Sequence, residues 1–178
     1  MEYRNPLIFI VGGARSGKSS YGETLVQTFA EPRVYIATAE AFDEELKERI
    51  EMHQKRREGI FLLTIEEPIN LAQVILHRPK RETLFIDCLS VFLGNLFHYY
   101  GSNESFPQLE ELYRALEERK QPIIVISNEV GEGIVPENEM ARHYRDMSGW
   151  MNQRVAKIAD VVIKMTCGIP QIIKGELS

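Results

Sequence analysis

Residues Gly12-Gly13-Ala14-Arg15-Ser16-Gly17-Lys18-Ser19 spell G-x-x-x-x-G-K-S and follow directly on the apolar run Leu7-Ile8-Phe9-Ile10-Val11. The next segment, Ser19–Leu25, has the composition to open a helix. Strand, glycine loop and helix in that order are the context a phosphate-binding loop requires. Its glycines let backbone N–H groups turn inward around phosphate oxygens, where a side chain would block the approach. The helix N-terminus adds about half a unit of positive charge. Lys18 is expected to reach the β- and γ-phosphates, and the Ser19 hydroxyl to ligate Mg²⁺. A chain built this way binds a nucleoside triphosphate, but the loop alone leaves the nucleotide and the reaction open.

The rest of the chain continues the β/α alternation. Five short runs, Leu7–Val11, Arg33–Ala37, Thr83–Asp87, Pro122–Ser127 and Asp160–Met165, are continuous and β-rich rather than alternating. That is the pattern of parallel strands covered on both faces. Helical stretches lie between them, so the expected fold class is α/β, a mostly parallel sheet flanked by helices. Two weaker runs, Phe61–Ile65 and Gln171–Lys174, are expected to add antiparallel edge strands. A length of 178 residues suits one nucleotide-binding domain spanning 1–178. Tyr99–Ser105 reads as the best candidate for a mobile loop.

Open α/β sheets bind ligands at the carboxyl ends of their strands, and here those ends carry polar residues. The second run leads into Thr38-Ala39-Glu40, the third ends at Asp87, and the fourth leads into Ser127-Asn128-Glu129. A carboxylate closing an apolar strand beside a phosphate loop holds Mg²⁺ directly or through water, and Asp87 is the candidate. The segment Asp43–Arg57 reads as a helix with acids leading and bases trailing, matched to the macrodipole. Leu46, Ile50, His53 and Arg57 fall on one of its faces. By spacing alone His53 is either a boundary residue satisfied by packing or a catalytic imidazole. Asn128–Asn138, with two glycines and a proline, is a shaped turn, followed by a helix carrying Arg142 and Arg145. Its Glu, Asn and Arg groups suit either solvated positions or a rim over the nucleotide that contacts a second substrate. His77 and His143 are expected at the surface or in packing, and Trp150 and the tyrosines in the core.

A net charge of −5 gives no global attraction to nucleic acid. The two cysteines, Cys88 and Cys167, have neither disulfide-framework nor zinc spacing and are expected as small buried hydrophobes. No run approaches the ~18 apolar residues of a membrane span. The start, Met1–Pro6, carries no basic region with an apolar segment and cleavage site, so the expected location is cytoplasmic.

Taken together these motifs resemble one family. Its form of the phosphate loop is matched by residues 12–19, and its second-strand signature by Tyr35-Ile36-Ala37-Thr38-Ala39. Arg49-Ile50-x-x-His53-x-x-x-Arg57, Glu66-Glu67-Pro68, Asp87-Cys88-Leu89-Ser90 and Asn95-Leu96 follow in the expected order. The most specific stretch runs from Ser127-Asn128-Glu129-Val130-Gly131 through Val135-Pro136-Glu137-Asn138, Ala141-Arg142 and Arg145-Asp146 to Asn152-Gln153 and Asp160. Cys167-Gly168-Ile169-Pro170 matches its C-terminal end. The sequence is similar to the bifunctional adenosylcobinamide kinase and adenosylcobinamide-phosphate guanylyltransferase family of cobalamin biosynthesis. The resemblance covers essentially the whole chain except about residues 99–121. Ser90 stands where a Thr is common and Trp150 where an Arg often follows the Gly. Phe61 or Leu62 takes the place of a tryptophan usually found after the Arg57 segment.

The resemblance implies a P-loop NTPase-type (RecA-like) fold and a two-step enzyme. A triphosphate, ATP or GTP, donates its γ-phosphoryl group to the aminopropanol hydroxyl of adenosylcobinamide. GMP then passes from GTP to adenosylcobinamide phosphate through a guanylylated histidine, which falls on His53, with release of pyrophosphate. It further implies nucleotide contacts from residues 12–19, Thr38, Ala39, Glu40, Gln54, Lys55, Arg56, Arg57, Glu66 and Asp87. Lys18 is the catalytic cation, Ser19 and Asp87 hold Mg²⁺, and the assembly is a homotrimer. Two other readings stay open at this level: a plain phosphate-loop kinase for a small metabolite, and a GTP-dependent binding module without transfer chemistry.

Overall fold

The computed structural model describes residues 5–40 and 57–177. His53, Gln54, Lys55 and Arg56, with most of the helix expected over Asp43–Arg57, lie outside the described residues. Along the chain come β1 (Leu7–Gly12), α1 (Lys18–Val26), β2 (Arg33–Ala37), β3 (Leu63–Glu66) and α2 (Leu71–His77). They are followed by β4 (Thr83–Asp87), α3 (Leu89–Tyr100), α4 (Pro107–Glu117), β5 (Ile123–Asn128), α5 (Glu139–Ile158), β6 (Val161–Thr166) and β7 (Ile169–Lys174). The strands form one seven-stranded sheet in the order β3-β2-β4-β5-β1-β6-β7.

Every neighbouring pair is parallel except β6 and β7. The continuous apolar runs follow from burial on both faces, because successive side chains of a strand point to opposite sides. Leu7, Phe9 and Val11 of β1 join Leu84, Ile86, Ile123 and Val125 under helices α2 to α5, which contribute Leu71, Phe92, Leu96, Leu112, Leu116, Met151 and Val155. The alternate residues Ile8 and Ile10 join Phe85, Ile124, Ile126 and Ile163 on the other face, where α1 adds Val26. Each fully buried side chain of this size contributes roughly 1.5–3 kcal/mol. Helix α1 lies close to the sheet at Gly22, where a β-carbon would stand 2.8 Å from the Phe85 ring.

Three expectations are corrected. The run expected as an antiparallel edge at Phe61–Ile65 is β3, and it pairs parallel with β2 in the register Val34↔Leu63 to Ala37↔Glu66. Residues 38–62 separate β2 from β3 in sequence, and a spacing of that length allows the crossover that a parallel pair needs. The C-terminal run is antiparallel as expected, since only the turn Cys167-Gly168 separates β6 from β7. Tyr99 and Tyr100, expected in a loop, are the last residues of α3, and the left-handed Gly101 (φ 78) ends that helix. Trp150, Cys167 and the tyrosines Tyr99 and Tyr100, expected in the core, are exposed. Trp150 lies on a different side of α5 from the buried stripe Met147, Met151 and Val155, and Cys167 sits at the tip of the β6–β7 turn.

Candidate active site

Strand order brings the polar carboxyl ends of β1, β4 and β5 together. The phosphate loop leaves β1 and turns into α1 through Gly17, which takes a left-handed conformation at φ 93. No side chain caps α1, and its first turn holds no acid. Its orphan N–H groups and partial positive charge are therefore open to an anion. By contrast, α5 is closed by its own cap, since the Asn138 side chain accepts from the Ala141 N–H at 3.0 Å.

The loop rests on the β6–β7 hairpin. The Gly168 N–H donates to the Ser16 carbonyl at 3.0 Å. A β-carbon on Gly17 would stand 3.2 Å from the Gly168 Cα, and one on Gly12 only 2.5 Å from the Met165 carbonyl oxygen. Gly12 is thus required by strand packing and Gly17 by its left-handed backbone and this close approach. Gly13 is exposed with nothing nearby.

Lys18 is buried, and its ammonium donates to the Gly13 carbonyl at 2.6 Å, spanning its own loop. Burial pulls its pKa below the ordinary lysine range, while Cys88 and Asp87 oppose that shift. The Ser19 hydroxyl donates to Asp87 Oδ2 at 3.1 Å, and the Tyr35 hydroxyl donates to the same oxygen at 2.9 Å. Ser19 and Asp87 therefore converge although β5 lies between their strands. A hydroxyl and a carboxylate are the hard oxygen donors Mg²⁺ takes when phosphates and water complete its shell. Among the described residues no cluster of three or more His, Cys, Asp or Glu offers an alternative metal site.

Arg57 stacks its guanidinium over the Tyr35 ring, 3.6 Å from the centroid. Burial lowers its pKa, and Asp87 and Glu23 counter that effect. Arg57 therefore stands beside Tyr35 and within the electrostatic reach of the carboxylate at the end of β4. Thr38 serves as a tie: its hydroxyl lies 2.8 Å from the Cys88 carbonyl and accepts from the Cys88 N–H at 2.9 Å. Glu40 receives the Tyr99 hydroxyl at 2.9 Å. Glu66 ends the edge strand β3, across β2, β4 and β5 from the phosphate-loop strand. Gly12–Ser19 and Asp87 are thus brought to one place; Thr38, Glu40 and Glu66 occupy the same sheet edge farther along.

A cleft of about 510 Å³ is lined by residues Arg15–Ser20 together with Asp87, Cys88, Ile126 and Asn128. Tyr35 was not expected at the site from the sequence, and Asn128 was expected only as part of a polar strand-end loop, either solvated or forming a rim over the nucleotide. Tyr35 read as a strand residue, and only the register places its hydroxyl on Asp87. The position of Asn128 at a strand's carboxyl end was the available signal.

A glycine loop on β1, an uncapped helix behind it and a carboxylate on a strand once removed define a phosphate-loop nucleotide-binding protein of RecA-like architecture. The flagellar accessory protein FlaH of Methanocaldococcus jannaschii shares this fold at a TM-score of 0.52 and 16% identity, over 96% of this chain and 79% of that one. Within that class, residues 8–173 match the family described as cobinamide kinase / cobinamide phosphate guanyltransferase, and the chain belongs to it. It is 39% identical to the bifunctional adenosylcobalamin biosynthesis protein CobP of Pseudomonas aeruginosa over 94% of this chain and 96% of that protein. It is 32% identical to the bifunctional adenosylcobalamin biosynthesis protein CobU of Escherichia coli, over 94% and 99% respectively.

Proposed function

We propose that this protein phosphorylates adenosylcobinamide on its aminopropanol hydroxyl and then transfers GMP from GTP to adenosylcobinamide phosphate. The observation that carries the reading is the convergence of Lys18, Ser19 and Asp87 around the phosphate loop, in a chain whose family description names both activities. Phosphoryl transfer needs positioning and charge neutralisation more than covalent help from the protein. The loop N–H groups and the α1 N-terminus hold the phosphates, and Lys18 leaves the Gly13 carbonyl for the β- and γ-phosphate oxygens. Ser19 and Asp87 are the residues that would hold Mg²⁺, whose charge offsets that of the phosphates.

For guanylyl transfer, His53 is the nucleophile and attacks the α-phosphorus as neutral imidazole. Lys55 and Arg57 disfavour its imidazolium form and offset phosphate charge. The nucleotide is gripped further by Thr38, Ala39, Glu40, Gln54, Arg56 and Glu66. The whole chain acts as one nucleotide-binding domain. Among the described residues no helix is long and apolar enough to cross a membrane, in keeping with a cytoplasmic enzyme.

The reading includes assembly as a homotrimer. Support for self-association comes from β7, an edge strand exposed along its whole length that presents Ile169, Ile172 and Ile173 to solvent. Light scattering should give three times the chain mass of 20.5 kDa.

Incubation with GTP labelled at the α-phosphate tests the chemistry. Acid-labile, base-stable label that vanishes in His53→Ala supports the two-step enzyme, and an unlabelled wild type refutes the guanylylated intermediate. Phosphorylation of adenosylcobinamide, assayed separately with ATP and GTP, tests the kinase step.

A further inference from the structure

We infer that Asn128 aligns the two partners of the phosphoryl transfer, its amide N–H on the γ-phosphoryl group and its carbonyl on the acceptor hydroxyl, with Ser90 holding it in that pose. The inference rests on the kinase reading above. Strand β5 lies between β1 and β4, so its carboxyl end stands between the phosphate loop and Asp87. Asn128 is its last residue, opposite Gly12 in the register, and the following Glu129 N–H donates to the Gly12 carbonyl at 2.9 Å. Ile124 and Ile126 pack on the α1 face of the sheet, and Asn128 continues that alternation onto the face of the phosphate loop. Its side chain lines the cleft with Lys18, Ser19 and Asp87.

The amide is held from behind. Asn128 Nδ2 donates to Ser90 Oγ at 2.8 Å. Ser90 Oγ also lies 3.1 Å from Cys88 Sγ, while the Ser90 carbonyl accepts from the Tyr144 hydroxyl at 2.8 Å. The Asn128 carbonyl accepts from Asn152 Nδ2 at 3.0 Å, which fixes the backbone independently of the side chain. One Nδ2 hydrogen is thus engaged by Ser90. The second hydrogen and Oδ1, which accepts no hydrogen bond among the described residues, remain for substrates.

An uncharged amide suits this position. It offers donor and acceptor together, and it does not repel a triphosphate as a carboxylate does. In the step itself, the hydroxyl oxygen bonds to the γ-phosphorus while the bond from that phosphorus to the β,γ-bridging oxygen breaks. The electron pair leaves with the nucleoside diphosphate. The hydroxyl proton passes to an oxygen of the transferred phosphoryl group and from there to water. Asn128 neither gains nor loses a proton; it sets the approach.

The test compares Asn128→Ala, Asn128→Asp, Ser90→Ala and Ser90→Thr in three assays: nucleotide affinity, phosphorylation of adenosylcobinamide, and guanylyl transfer to supplied adenosylcobinamide phosphate. Asn128→Ala should lower the kinase kcat about 10²–10³-fold, the effect of removing one preorganised donor. Melting temperature should be unshifted, and guanylyl transfer, whose chemistry lies at the α-phosphorus, should fall no further than nucleotide affinity does. Asn128→Asp should be at least as impaired as Asn128→Ala, although an aspartate can still accept from Ser90. Ser90→Ala should lose kcat without KM, and Ser90→Thr should restore it. An Asn128→Ala protein with wild-type kinase turnover overturns the inference, as does a parallel fall of both half-reactions with nucleotide affinity. A wild type unable to phosphorylate adenosylcobinamide overturns the kinase reading itself.

Discussion

Replacing Gly12 by alanine would put a β-carbon 2.5 Å from the Met165 carbonyl oxygen and 2.8 Å from Ser16 Oγ. Carbon and carbonyl oxygen ordinarily meet at about 3.3 Å or more, so the parallel pair Gly12↔Met165 has to part by roughly 0.8 Å. The nearer obstacle is backbone and cannot swing aside, as the Ser16 hydroxyl can by rotating about its own side-chain bond. Overpacking typically costs about 1–3 kcal/mol, and a backbone obstacle puts this case near 3 kcal/mol. At about 2–4 °C per kcal/mol for a chain of this size, the melting temperature should fall by roughly 6–12 °C. The neighbouring Gly13 is the control. It has nothing within 4 Å and no left-handed φ. Gly13→Ala should leave stability unchanged or raise it by about 0.4–1 kcal/mol, through the lost freedom of the unfolded chain. Urea and thermal unfolding of the nucleotide-free proteins decide between them. Equal stabilities for the two variants, or a Gly12→Ala protein within about 0.5 kcal/mol of wild type, would refute the assignment of Gly12 to strand packing.

Other outcomes follow from the same geometry. Cys167 takes a left-handed φ of 52 in the β6–β7 turn, so Cys167→Asn should raise the urea midpoint, by about 1 kcal/mol of relieved backbone strain; an unchanged or lower midpoint would contradict that. Burial pushes the Cys88 thiol up to about 11 from its ordinary 9.0. The folded state therefore retains a proton that the unfolded chain loses first, and stability should decline between pH 9 and 11, by up to about 2–3 kcal/mol. Cys88→Ala should flatten that part of the pH–stability curve, and an identical slope in the variant would exclude Cys88 as its source. Lys18→Ala should reduce kinase turnover by about 10²–10³-fold, read in steady-state assays with the fold checked by circular dichroism; retained turnover would remove Lys18 from the catalytic role.

The nucleotide loop, the parallel sheet and five of its strands were legible from local pattern alone. Continuous apolar runs declare burial on both faces, and the G-x-x-x-x-G-K-S spacing declares its own strand–loop–helix context. Trp150 and Cys167 were misplaced because residue type states how much apolar area a side chain carries, not which side of a helix or turn will be covered. The direction of β3 was likewise invisible in its own residues, since the crossover that a parallel pair needs lies outside the strand. Strand-end position drew attention to Asp87 and the family motif to His53, yet the contact of the Tyr35 hydroxyl with Asp87 emerged only from the register of β2 against β4.

What the sequence determined by itself is the chemistry available: a triphosphate-binding loop, a strand-ending carboxylate and a histidine at helical spacing with Arg57. The tertiary structure decided how that chemistry is arranged. It inserted β5 between the loop strand and the carboxylate strand, brought Ser19 to 3.1 Å from Asp87, and set Asn128 in the cleft between them. It also laid the β6–β7 turn beneath the loop. Strand order is a property of long-range pairing. Local periodicity makes a strand but carries no address for its neighbour, so the alignment of the site exists only once the sheet has closed.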